Sequence, residues 1–161
     1  MSTTTAPRTR DARSLLTPVQ FAGVAATVQR ANPGMDAALT ERIVLEALKF
    51  VATAAGRSSG RMAPSPVVDE GWHALILHTR VYADLTARLG GTFVHHIPQP
   101  PNPAHPQVPG ILAYTQAAIR SAGFEVDEDL WRPGPRASAE CQHVPACGDT
   151  ECEANCESGP N

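Results

Sequence analysis

Proline placement constrains this chain more than any other feature, because proline has no amide hydrogen to donate and clashes with the preceding helical turn. A helix can begin on proline but cannot run through it. Of the 15 prolines, Pro18 and Pro66 follow Thr17 and Ser65, side chains suited to capping a helix start. Pro33 lies in a stop, Asn32-Pro33-Gly34, six more fall between Pro98 and Pro109, and Pro133 and Pro135 flank Gly134. The stretches left between these marks carry apolar residues at helical spacing.

The first stretch places Val19, Phe21, Ala22, Val24, Ala25 and Val28 on an inward stripe. The second, opening near Asp36 and stopping at Gly56, buries Leu39, Ile43, Val44, Ala47, Leu48, Val51, Ala54 and Ala55, with Glu41, Arg42, Glu46 and Lys49 on its solvent side. The third reads as one long helix from Ser65-Pro66 to Gly90-Gly91, with Val68, Trp72, Leu75, Thr79, Tyr82 and Leu89 near one face. Trp72 is the expected aromatic centre of the core, with Tyr82, Phe93 and Trp131 around it. Phe93 to Ile97 reads as a short extended run, and the proline-rich segment 98–109 as polyproline-like or irregular. A fourth helix is expected from about Pro109 to Ala122, stopped by Gly123, with a last turn at Asp127 to Trp131.

With 42% hydrophobic but only 5% aromatic residues, and many alanines, the composition favours closely packed helices over a β-sandwich. The expected architecture is all-α: a bundle of about four helices over residues 17–132, between a loose arm at 1–16 and an acidic, cysteine-bearing tail at 133–161. Thirteen bases face eleven acids up to Arg136, and five acids and no base follow it. No basic cluster goes beyond three arginines in the arm, which argues against nucleic acid. No apolar run approaches the roughly 18 residues of a membrane span, and Met1 to Arg13 has no apolar segment of a secretory signal. A cytoplasmic protein is the expectation.

Asp69 and His73 stand four apart, about 40° around a helix, so a carboxylate and an imidazole share one face at metal-ligand spacing. His78, nine residues from Asp69, falls roughly opposite and cannot join them while the helix is continuous. His95 and His96 follow in the extended run, where adjacent side chains point to opposite sides, so one of the two is expected to reach the pair. Two histidines, a carboxylate and an open position suit zinc or non-heme iron(II). In that reading Glu70 is the candidate base beside a bound water. The competing reading makes Asp69 and His73 a structural hydrogen-bonded pair at a helix start, where the dipole favours an acid regardless.

The tail spacing is Cys141-x5-Cys147-x4-Cys152-x3-Cys156. With no C-x2-C pair it is neither a zinc ribbon nor a redox motif, yet four soft ligands this close can wrap one zinc or copper(I). A folded part followed by a Pro-Gly hinge and a cysteine-rich end is also the layout of a precursor whose tail a partner enzyme modifies. The remaining alternative is an adaptor without metal, docking a protein partner through the tail or the proline segment, where Pro98-Gln99-Pro100-Pro101 and Pro103-Ala104-His105-Pro106 match bare P-x-x-P spacing. None of these patterns names a reaction, and enzyme status stays open.

The run Val68-Asp69-Glu70-Gly71-Trp72-His73, then Ile76-Leu77-His78-Thr79 and Tyr82, then Gly91 through Pro98 with its His95-His96 pair, resembles the bacterial branch of the glycine-rich domain-containing protein-like family. The order of Thr115, Gly123 and Trp131 is similar too, so the resemblance covers roughly residues 15–132. It implies that Asp69, His73 and the His95/His96 pair form one site, and it supplies no substrate. Members often end in a Cys/Gly-rich tail; here only Gly148 and Gly159 lie among and after the cysteines.

Overall fold

The structure, a computed structural model, describes residues 9–57, 61–90, 93–96 and 110–133. Among these residues it is all-helical, without a strand. Five helices follow in order: α1 (Pro18–Ala31), α2 (Ala37–Ala55), α3 (Pro66–Leu77), α4 (Thr79–Leu89) and α5 (Ile111–Ser121). Two short 3-10 turns, Ala12–Leu15 and Glu128–Leu130, stand near the ends. The proline-rich segment 98–109, residues 1–8, the tail beyond Pro133 and all four cysteines lie outside the described residues.

Each of the first three helix starts is capped by the residue that its sequence offers. Thr17 accepts from the Gln20 amide while the Gln20 side chain accepts from the Thr17 amide, a reciprocal capping box. Asp36 accepts from the Leu39 amide at 3.1 Å, and Ser65 from that of Val68 at 3.2 Å. Ser65, fully buried, also donates to the Leu130 carbonyl, so the cap of α3 ties down the last 3-10 turn as well. Each such cap contributes about 1 kcal/mol.

The long α2 is the centre of the bundle; α1, α3, α4 and α5 all pack on it. Its Ile43, Val44, Ala47, Leu48 and Val51 are fully buried, joined by Phe21, Val24 and Val28 of α1, Val68 and Leu75 of α3 and Leu85 of α4. At Gly71 the two backbones of α2 and α3 come close, and an added Cβ would stand 2.8 Å from the Ile43 carbonyl oxygen and 2.9 Å from the Ala47 Cβ. Only glycine lets the two backbones come this near.

Six differences from the sequence expectations have physical causes. The expected single third helix is broken at His78, whose ψ of 62° takes it out of the helical region. On an unbroken helix Trp72 and Tyr82 would be separated by about 15 Å along the axis, whereas the Trp72 Nε1–H donates to the Tyr82 hydroxyl at 2.9 Å. The break is what folds α4 back on α3. Thr79, expected inward, opens α4 exposed. Val19, placed on the inward stripe of α1, is 83% exposed, because that stripe narrows to Phe21, Val24 and Val28 at spacings of three and four. Glu46, assigned to the solvent side of α2, is 1% exposed. Its carboxylate accepts from the Trp131 indole (2.7 Å), the Asp127 amide (3.1 Å) and Lys49 (2.5 Å), partners that supply in the core what water would supply outside.

The arm expected at 1–16 is packed in its second half. Ala12 and Leu16 are buried, the Arg10 amide donates to the Gly123 carbonyl at 2.8 Å, and the Arg10 guanidinium lies over the Phe124 ring. Finally, Phe93 to His96 is irregular chain rather than a strand, its backbone held by a side chain, as described next. No helix among the described residues is long and apolar enough to cross a membrane.

Candidate metal centre

Helix α3 turns Val68, Gly71, Trp72, Ala74 and Leu75 toward the core. Asp69 and His73 each stand about 160° around the axis from Gly71, on the side facing away from α2. Into that side comes the chain after α4. Its backbone is pinned by Tyr82, whose hydroxyl donates to the Val94 carbonyl at 2.6 Å while accepting from Trp72. The Phe93 ring sits edge-on to Tyr82 at 5.2 Å. Burial pushes the Tyr82 phenol above its ordinary range, opposed in part by the Trp72 N–H bond, so it stands as a neutral donor.

Two residues beyond this pin, His96 drops onto α3. Its Nε2 is 3.3 Å from Asp69 Oδ1, and the other oxygen, Oδ2, is 3.7 Å from His73 Nδ1. The His96 ring lies 4.4 Å from that of His73 and 4.7 Å from that of Trp72, which is backed in turn by Phe50 at 4.9 Å. Asp69 and His96 are 17% and 16% exposed and His73 is 32% exposed, so the cluster has an aromatic wall behind it and a side open to solvent.

One ligand atom from each of Asp69, His73 and His96 falls within 4.8 Å of the others. Donors bonded at about 2.0–2.2 Å to a single ion stand roughly 3–3.7 Å apart. The two contacts of Asp69, made by different oxygens, lie within that range at 3.3 and 3.7 Å. Two imidazoles and a carboxylate are the donor set of a transition-metal site, and this triad can chelate a metal ion. Among the described residues it is the group of acids, histidines and cysteines that converges in this way.

The other histidines of the sequence reading stand elsewhere. His95 is exposed and lies against Phe93, 4.8 Å between rings, whereas His96 lies against His73 and Trp72. The break at His78 does not deliver that ring to the triad. Its Nε2 is 2.9 Å from the Thr27 hydroxyl, which donates to the Gly23 carbonyl and accepts from Arg30. Glu70, the candidate base, is met by the Asn32 amide nitrogen at 3.5 Å. The residues that sequence reasoning missed at this site are Phe50 and Val94. Val94 enters through a carbonyl, which no side-chain pattern reveals.

Fold and site together define a small helical domain with an Asp/His triad between its third helix and the chain following its fourth. A family model described as UCP032817-like matches residues 13–104, more than half of the chain, and the chain belongs to this family. That span runs from the first 3-10 turn past His96 and so contains all three triad residues. No curated protein and no solved structure matches the chain.

Proposed function

We propose that this protein binds a divalent transition ion, zinc or iron(II), through Asp69, His73 and His96, leaving further coordination positions open on the exposed side for water or a small ligand. The observation that carries the reading is the position of Asp69 between both imidazoles, one oxygen toward each. A carboxylate can accept an N–H from each of two rings; what suits an ion held in common is that one ligand atom from each of the three residues falls within 4.8 Å of the others on a partly open face. The resemblance to the glycine-rich domain-containing protein-like family, where the same Asp-x-x-x-His and paired-histidine pattern occurs, is proposed as a wider kinship and supports the same triad.

The four cysteines are proposed as a separate soft-metal site for zinc or copper(I), in a reducing cytoplasm where thiols stay free. Metal uptake by these thiols sets the design of the test. In the full chain with Cys141, Cys147, Cys152 and Cys156 all changed to serine, elemental analysis of untagged protein should still find close to one zinc or iron per chain. His73→Ala and His96→Ala should each remove it, and His95→Ala and His78→Ala should not. Metal retained in both His73→Ala and His96→Ala, or none in the parent after incubation with zinc and anaerobic iron(II), would return Asp69 and His73 to a hydrogen-bonded pair.

A further inference from the structure

Of the three triad residues, only His96 lies outside a helix, two residues past the pinned Val94. Asp69 and His73 are held in register by the backbone of α3, whereas nothing in helical geometry holds His96. Its ring meets Asp69 at 3.3 Å, and its backbone is fixed two residues upstream by a chain of two hydrogen bonds, Trp72 Nε1–H to Tyr82 Oη and Tyr82 Oη–H to Val94 O, at 2.9 and 2.6 Å. Trp72 closes the loop, since the same indole packs against the His96 ring. Tyr82 and Trp72 are 1% and 6% exposed, so neither can trade these partners for water.

We infer that Tyr82 is the positioning residue of the metal centre: through its bond to the Val94 carbonyl it sets the register that brings His96, and not His95, onto Asp69. The inference rests on the reading of Asp69, His73 and His96 as ligands. Two geometric facts support it beyond proximity. The helix break at His78 brings the Tyr82 hydroxyl within reach of the indole, a contact that an unbroken helix forbids. A one-residue slip in the chain after α4 would exchange the exposed His95 for His96, because the first packs on Phe93 and the second on His73 and Trp72. A bond to the backbone at Val94 blocks that slip without touching either histidine.

Tyr82→Phe keeps the ring in its packing and deletes only the hydroxyl. In the full chain with the four tail cysteines changed to serine, titration with cobalt(II) should show affinity reduced about 10- to 100-fold, the range of lost outer-shell support. Trp131→Phe, which removes an equally buried N–H bond to Glu46, serves as the stability control and should bind cobalt as the parent does. In the metal-free protein the His96 ring protons should carry a ring-current shift from Trp72 that Tyr82→Phe diminishes. If the parent binds cobalt through the triad and Tyr82→Phe binds within twofold of it, the positioning role is wrong while the metal reading stands. If the parent binds no metal, the metal reading fails, and the His96 signals alone decide: unchanged in Tyr82→Phe they overturn the inference, moved toward solvent values they uphold Tyr82 as the group that seats His96.

Discussion

Glu46 is the residue whose fate was least visible in one dimension. It sits among Glu41, Arg42 and Lys49 on what reads as a polar face, yet it is buried, because Asp127 and Trp131 return to it from 81 and 85 residues further on. Removing the carboxylate takes the acceptor from an indole N–H and a backbone N–H and the ion-pair partner from the Lys49 ammonium. Glu46→Ala should therefore cost about 3–5 kcal/mol in urea unfolding, and a loss below about 1 kcal/mol would mean that water takes its place. Gly71 is sensitive for the opposite reason, an absence of space. Its substitution by Ala puts a Cβ 2.8 Å from a backbone oxygen of α2 that cannot rotate away. Despite the better helix propensity of alanine, the expected result is destabilisation of about 1–3 kcal/mol, together with weaker metal uptake as α3 shifts. Unchanged stability in Gly71→Ala would show that the helices part freely.

At the scale of elements, the segment after α5 is fastened to α2 by a two-point ion pair. Arg42 donates through Nε and Nη2 to the two oxygens of Asp127 at 2.6 and 2.9 Å. This hydrogen-bonded guanidinium holds the Asp127 carboxyl below its ordinary range and is itself raised by the same partner. A carboxyl lowered in the folded state contributes stability that is present above its unfolded pKa and lost as pH falls through the folded one. Acidification from pH 6 into the range below the ordinary carboxylate value should lower the melting temperature of the parent more than that of Arg42→Ala. Parallel curves would remove the pair from the account. Salt should shrink the difference, since both groups touch solvent. The break between α3 and α4 belongs to this scale too. Neither glycine nor proline marks it in Leu77-His78-Thr79, so periodicity alone extends one helix through it. Packing settles the matter, through the Tyr82 hydroxyl on one side and the seat of the His78 ring against Gly23 and Thr27 on the other.

At the scale of the whole molecule, the buried residues among those described run from Ala12 to Trp131. Cutting the chain after Arg136 should leave the cooperative melt seen by circular dichroism nearly unchanged, and a lost melt would make the tail structural. Deleting residues 1–16 should lower the midpoint clearly, because it strips Ala12 and Leu16 from the core, the Arg10 bonds to Ala122 and Gly123, and the Arg13–Glu41 pair. An ion bound only by the folded state should raise stability by about 2.7 kcal/mol at a free concentration a hundredfold above Kd. That gain should vanish in His96→Ala.

Local chemistry determined what the sequence by itself could reveal: the caps at Thr17, Asp36 and Ser65, the stops, the helical class, and the common face of Asp69 and His73. These depend on neighbours within about four residues, where backbone geometry is known in advance. The choice of His96 over His95, the break at His78, the burial of Glu46 and the packing of residues 10–16 were decided by tertiary structure. Each depends on a partner tens of residues away, whose approach is settled only when α2 has gathered the other helices around it and every buried polar group must find an acceptor or donor inside.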